Sequence, residues 1–252
     1  MREGRGAPAP RLHFFTKNDS VSRMGFDRLT TGTLSIVATP IGNLEDITLR
    51  ALRVLKECDV IYAEDTRVIS KLLARYEISK PLQRLDAATE DKKAKEVIER
   101  LEAGEKIAFV SDAGTPGISD PGARLVARVR EFAPEQNIEA IPGASALAAA
   151  VSIAGLQSDA FIFLGFLPHK KGRQTAIRNI ASLELPVILY ESPHRAVKLL
   201  EELAAAGIQK VGVARELTKM HEEFLLGEPH TVAADLAQRK VERGEFVVIV
   251  YR

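Results

Sequence analysis

Lys106-Ile107-Ala108-Phe109-Val110-Ser111-Asp112-Ala113-Gly114-Thr115-Pro116-Gly117-Ile118-Ser119-Asp120-Pro121-Gly122 runs a hydrophobic strand, Lys106 to Val110, straight into a loop holding three glycines and two prolines. Such a loop fixes a backbone path that other residues could not follow, and it lets main-chain N–H and C=O groups come close to a bound molecule. Asp120-Pro121-Gly122 is expected to open the next helix, with Asp120 as N-cap and Pro121 in the first helical position. In an open α/β sheet the crevice beyond the carboxyl ends of the strands is where ligands sit. A plain tight connection would need the same residues, so the reading depends on what the neighbouring strands do.

Outward from this loop, strand and helix patterns alternate. Leu34 to Ala38, Val60 to Ala63, Leu82 to Leu85 and Ile138 to Ile141 read as further strands. Amphipathic helices are expected through Leu49, Leu52, Val54 and Leu55, through Ile69, Leu72 and Leu73, and from Glu90 to Glu102. That alternation predicts an α/β fold with many parallel strands. Around Gly155 to Asp159 the pattern breaks. Beyond it come strands at Phe161 to Leu164, Val187 to Tyr190, Val211 to Arg215, Glu223 to Leu226 and Phe246 to Val250, with helices near 172–183 and 194–206. We therefore expect two α/β domains, 32–155 and 156–252, with a cleft between them suited to a small molecule. Residues 1–31, rich in Arg, Ser, Thr and Pro, read as a disordered extension in which Met24 is an alternative start.

Composition narrows the classes. The 252 residues carry 35 basic and 34 acidic side chains, so a nucleic-acid partner would have to be held by a local patch. One cysteine, Cys58, allows no disulfide and no zinc site within the chain, which fits a reducing cytoplasm. No apolar run is long enough for a membrane helix. There is no GxGxxG at the first strand, no P-loop and no His-Glu-x-x-His, which disfavours Rossmann dinucleotide, P-loop and zinc-protease chemistry. Ser145 sits in Gly-Ala-Ser-Ala rather than a Gly-x-Ser-x-Gly elbow. No metal site is expected.

Four strand ends in the first half are punctuated by Gly, Pro or Asp. Thr39-Pro40-Ile41-Gly42-Asn43-Leu44-Glu45-Asp46 is a rigid bend in which Asp46 could cap the helix that follows. Glu64-Asp65-Thr66-Arg67 would form a polar rim, or simply a cap and an ion pair. Pro142-Gly143-Ala144-Ser145 offers small residues for close approach. Together with the 111–122 loop, these point to a single site. From the second half, Gly165-Phe166-Leu167-Pro168, Tyr190-Glu191-Ser192-Pro193-His194-Arg195 and Ala214-Arg215-Glu216-Leu217-Thr218-Lys219 each follow a strand. His194 and His221 are acid–base candidates or surface residues, and Arg215 with Glu216 reads as a buried structural pair. His169-Lys170-Lys171-Gly172-Arg173 is the densest basic cluster, either a phosphate grip or solvated loop charge. Lys92, Lys93 and Lys95, interleaved with acids, look like an ordinary helix face.

Taken in order, these motifs resemble the family of bacterial small-subunit ribosomal RNA ribose methyltransferases I, within the tetrapyrrole-methylase-like superfamily of S-adenosylmethionine enzymes, over about residues 32 to 252. The resemblance implies a two-domain tetrapyrrole methylase-like fold, a class III S-adenosylmethionine-dependent methyltransferase, and a cytoplasmic homodimer with the cofactor in the interdomain cleft. It implies methyl transfer to the 2′-hydroxyl of a cytidine in the decoding region of 16S rRNA, free or in the assembled small subunit. The Pro-Ile-Gly-Asn-Leu form of the first loop is similar to the RNA branch rather than to the tetrapyrrole methylases. The cofactor residues so implied are Pro40, Gly42, Asn43, Ser111, Asp112, Ala113, Gly114, Thr115, Pro116, Asp120, Pro142, Gly143, Phe166, Leu167, Tyr190, Ala214, Arg215 and Glu216. Asp65, Arg67, Lys219 and His221 are candidates to orient or deprotonate the hydroxyl, and Lys170, Lys171 and Arg173 to bind RNA. Two departures stand out: Leu85-Asp86-Ala87-Ala88-Thr89-Glu90 replaces a His- and Asn-rich segment, and Pro142-Gly143-Ala144 replaces Pro-Gly-Pro. The competing readings are a small-molecule methyltransferase of the same fold and a non-catalytic ribosome-assembly factor that binds RNA.

Overall fold

The computed structural model describes residues 31–240 and 244–252. The expected extension therefore falls, except for Thr31, outside the described residues. Five strands, β1 (Thr33–Val37), β2 (Val60–Ala63), β3 (Leu82–Arg84), β4 (Lys106–Val110) and β5 (Asn137–Ile141), form a sheet in the order β3-β2-β4-β1-β5. All of its pairings are parallel. Parallel strands with helices on both faces bury both sets of side chains, which is why they read as continuous apolar runs. Alternate residues then serve opposite faces. Ile61, Ala63, Ala108 and Val110 meet Leu55 of α1 (Leu49–Glu57) and Ile69, Leu72 and Leu73 of α2 (Thr66–Arg75). Val60, Tyr62, Ile107 and Phe109 meet Val97 and Leu101 of α3 (Glu90–Glu102) and Leu125 and Val129 of α4 (Ala123–Phe132).

This topology locates a crevice. β1 and β4 are neighbours, yet the chain leaves β1 for a helix on one face and β4 for a helix on the other. Loops that part to opposite faces at adjacent carboxyl ends open a gap between them. Across it Thr39 and Gly114 exchange backbone hydrogen bonds of 2.9 and 3.0 Å, pinning the two loops to each other.

The second sheet takes the order β6-β7-β10-β8-β9, from β6 (Ile162–Phe166), β7 (Val187–Glu191), β8 (Val211–Arg215), β9 (Glu223–Gly227) and β10 (Phe246–Val250). Only β6 and β7 pair in parallel; β10 runs antiparallel to both β7 and β8, and β8 to β9. The parallel pairing expected from the alternation in the first half thus holds there but does not extend through this one. Residues 216–222 are too few for a parallel crossover, which takes a dozen or more. One face is covered by α6 (Arg173–Ser182), α7 (Pro193–Ala205) and α8 (Pro229–Gln238). The other face, through Ile188, Ala214, Val247 and Ile249, packs on Ala150 and Ala154 of α5 (Ala146–Ala154) and on Ile41.

Two expected helix starts are corrected. Thr48, not Asp46, caps α1, its side chain accepting from the Ala51 N–H at 3.0 Å. Neither Asp120 nor Pro121 begins α4. Gly122 precedes it at φ 119°, where a Cβ would lie 2.7 Å from the Phe109 ring, and the buried Glu90 carboxylate accepts the N–H groups of Gly122 and Leu125 at 2.8 Å each. A carboxylate from α3 does the work a local cap would have done. Also absent from the sequence reading is α8, although its buried Pro229, Val232, Ala233 and Leu236 follow helical spacing.

Candidate functional site

The carboxyl ends of β6 and β7 and the start of the antiparallel β10 lie at one edge of the second sheet, because Phe246 pairs with Glu191 and with Arg215. That edge faces the crevice of the first sheet. Between them is a cavity of about 380 Å³ walled by Ile41, Glu64, Asp112 to Thr115, Ile118 to Asp120, Ser145 and Ala146 from one half and by Phe166, Tyr190 to Pro193 and Gly244 to Val247 from the other. Loops from six strand ends and one strand start thus converge.

Of the residues expected to hold a cofactor, Asp112, Ala113, Gly114, Thr115, Asp120, Phe166 and Tyr190 line this cavity. The Asp112 carboxylate accepts the Asp65 N–H at 2.9 Å, and Thr115 donates to the Ala144 carbonyl at 3.0 Å, so the 112–115 loop is tied to its neighbours on both sides. Tyr190 accepts the Leu147 N–H at 3.0 Å and makes edge contacts with Phe163 and Phe166. Phe166 is 54% exposed, a flat apolar ring left open at the cavity.

The other expected cofactor residues stand behind or beside the wall. Ser111 is buried and donates to the Ala113 carbonyl, and Pro116 is buried below the loop. Leu167 and Ala214 belong to cores, which leaves only their main chain to serve a ligand. Pro142 and Gly143 are exposed, and a Cβ on Gly143 would lie 3.0 Å from that of Ala38. Arg215 pairs with Glu223 at 2.8 Å, and Glu216 with Lys219 at 3.0 Å, in place of the expected Arg215–Glu216 pair. Pro40 and Gly42 line a separate hollow. Gly42 and Asn43 meet the β8–β9 loop: Asn43 N–H donates to Thr218 Oγ1 at 3.1 Å, and a Cβ on Gly42 would sit 2.4 Å from Lys219 Cγ. Glycine is needed there because another chain segment crosses directly above it.

The cavity is acidic. Glu64, Asp112, Asp120 and Glu245 all line it. Burial, then the charges of Glu64, Asp112 and Glu245, push Asp120 up to about 7. Burial and the charge of Asp112 likewise raise Glu64, and burial raises Asp112. Carboxylates that resist ionising together favour a bound cation. Of these, Glu64 was expected on the polar rim but without a role of its own, and Glu245 was not expected at all; Glu245 reaches the site only because β10 runs antiparallel.

The expected catalytic side chains behave differently from one another. Asp65 caps α2 and binds the exposed Arg67 at 2.5 Å; hydrogen bonds from Arg67 hold it down at about 2, which makes it a poor proton acceptor. Burial pulls the Lys219 ammonium down, but its bonds to Glu216 and Glu245 outweigh this and hold it above the ordinary lysine value. It stays charged, which suits it to orient a group rather than to take a proton. His221 and His194 are exposed, and neither lines the cavity. For RNA, Lys170 and Lys171 are exposed, but Arg173 is 4% exposed and bonded to Glu202 and Glu191, so the expected phosphate contact at Arg173 is replaced by a buried ion pair. Among the described residues no group of His, Cys, Asp and Glu is arranged to hold a metal, and no helix is long and apolar enough to cross a membrane.

Comparison with known proteins matches this architecture. The model of the Tetrapyrrole (Corrin/Porphyrin) Methylases covers residues 33–233. A ribosomal RNA small subunit methyltransferase I from Thermotoga maritima is 42% identical over 220 residues, spanning 87% of this chain and 98% of the relative. Among solved structures, a diphthine synthase superposes with a TM-score of 0.66 at 18% identity, over 87% of this chain and 89% of its own. A uroporphyrin-III C-methyltransferase from Thermus thermophilus, complexed with S-adenyl homocysteine, gives 0.59 at 18% identity, over 86% of this chain and 96% of its own.

Proposed function

Because the chain belongs to the tetrapyrrole methylase family, and within it to the ribosomal RNA small subunit methyltransferases I, we propose that its interdomain cavity brings S-adenosylmethionine against a ribose 2′-hydroxyl of a cytidine in small-subunit rRNA. The chain is an S-adenosylmethionine-dependent rRNA methyltransferase. The observation that carries the reading is the acidic cavity where strand ends of both sheets meet.

The residues present fit that cofactor. Carboxylates of Asp112, Asp120 and Glu245 suit its positive charges, the main chain of 112–115 can reach its polar ends, and Phe166 with Tyr190 offers a flat apolar face to an adenine. When bound, the cofactor supplies an already activated methyl group on a sulfonium. The protein then has chiefly to align the attacking oxygen and exclude water, a task worth several kcal/mol. In this reading Asp65 and Arg67 orient the ribose, and Glu64, whose raised proton affinity makes it the better base, takes the hydroxyl proton directly or through water. Lys219 and Thr218 clasp the β1 loop and close one end of the cleft. Exposed Lys170 and Lys171 grip phosphate, and the active form is a cytoplasmic homodimer.

The test is transfer from labelled S-adenosylmethionine to purified small subunits and to free small-subunit rRNA, followed by nuclease mapping and mass analysis. One 2′-O-methylcytidine is expected, with a loss of roughly tenfold or more in Glu64→Gln at unchanged cofactor affinity. Label on a base, or on a tetrapyrrole offered in competition, would overturn the reading.

A further inference from the structure

The cofactor cavity has a neighbour. Ile41, Asp112 and Ala113 belong to both walls, and on their far side a hollow of about 220 Å³ lies between the β1 loop and α2, lined by Pro40, Leu44, Val68 and Leu72. Its lining is mostly apolar, yet it is bordered by the exposed Lys71. On α2, Arg67, Lys71 and Arg75 recur at four-residue spacing and so share one face. Arg67 is held by Asp65, but Lys71 and Arg75 pair with no carboxylate among the described residues. Arg75 stands over the Tyr76 ring at 5.8 Å, and Tyr76 donates to the Leu44 carbonyl at 2.8 Å, which ties this ridge to the rim of the hollow.

An apolar slot next to unneutralised cations matches a nucleotide, with its flat base and its phosphates. We propose that this second hollow receives the base of the target nucleotide, turned out of its stack, while Lys71 and Arg75 hold the flanking phosphates. The ribose then falls at the shared wall of Ile41, Asp112 and Ala113, beside the methyl donor. Enzymes acting on one nucleotide of a stacked RNA or DNA commonly need such a receptacle, because the reacting atom is otherwise shielded. The inference rests on the rRNA reading given above and specifies how that site chooses its substrate.

Val68→Trp fills the hollow from a position that is 39% exposed, so the fold has room for it, and a thermal melt matching wild type verifies this. Methyl transfer to small subunits should fall roughly 100-fold, with S-adenosylmethionine affinity by calorimetry and subunit binding both within about twofold of wild type. The paired reversal Lys71→Glu/Arg75→Glu should raise KM for subunits and flatten the log–log salt dependence of free-rRNA binding by about 1.4, two contacts at about 0.7 each. Wild-type turnover in Val68→Trp, or loss of cofactor affinity along with activity, would overturn the base pocket. A reversal that weakens binding to subunits but leaves free rRNA unchanged would assign the ridge to a ribosomal protein instead. If wild type itself leaves cytidine ribose unmodified, the earlier reading fails; if wild type modifies it and Val68→Trp does too, only this inference does.

Discussion

At Asp120, one carboxyl group couples pH to stability and, in the proposed function, to the charge of the cofactor. Burial and the negative Glu64, Asp112 and Glu245 keep its proton on up to about 7, with Tyr190 also nearby and Lys219 engaged by Glu245 at the same rim. An unfolded chain loses that proton near 4. Between those values the folded state binds the extra proton, so stability falls as pH rises from about 4 to about 7 and levels off beyond. Asp120→Asn removes the penalty: its melting temperature should exceed wild type by a margin that widens from pH 5 to pH 8, and a constant margin would refute the coupling. A bound sulfonium reverses the preference by favouring the ionised form. Affinity for S-adenosylmethionine in wild type should then rise between pH 6 and pH 8, by about tenfold for each pKa unit the cation pulls down. The thioether product, which lacks the sulfonium charge, should respond less, and Asp120→Asn should be flat in calorimetry at both pH values.

At the scale of elements, what the sequence revealed and what it hid have one physical cause. Strands were legible because both faces of the first sheet are buried, so runs such as Ile107 to Val110 leave little choice. Loop chemistry was legible because glycine and proline act through their own backbone. Caps were hidden, because a partner distant in sequence can satisfy a helix terminus. Glu90 shows this best: its carboxylate serves the start of α4, 32 positions on, with Arg124 alongside at 3.3 Å. The Asp86 carboxylate accepts the Ala88 and Thr89 N–H groups, so residues 86–90 supply a tight turn ahead of α3 and a cap for α4. The orientation of β10, and with it Glu245, was hidden for the same reason. Glu90→Ala leaves two buried N–H groups unpaired and should cost about 3 kcal/mol in urea unfolding. Glu90→Gln, which keeps an acceptor, should recover part of it. Equal stability in all three would show that the 111–122 loop holds its shape without this tie.

At the scale of the molecule, chain order and packing disagree over α5. It precedes the break in the sequence pattern near residue 156, yet Ala150 and Ala154 cover the face of the second sheet formed by Ile188, Ala214, Val247 and Ile249. The β1 loop joins them through Ile41, and the β8–β9 loop crosses back over Gly42. The halves thus share a core at the seam, beside the cavity rather than across it. A shared core couples their unfolding, so heat or urea should give one cooperative transition, with S-adenosylmethionine at 100 times its Kd adding about 2.7 kcal/mol. The seam also dictates how the chain can be cut. A fragment of residues 156–252 exposes an apolar sheet face and should bind a hydrophobic dye and aggregate, whereas residues 144–252 carry α5 with them and should stay dispersed. Size-exclusion chromatography of the two fragments separates the outcomes. A soluble, dye-silent 156–252 fragment would mean that the second sheet completes its core alone and that the loops around the cavity are free to part.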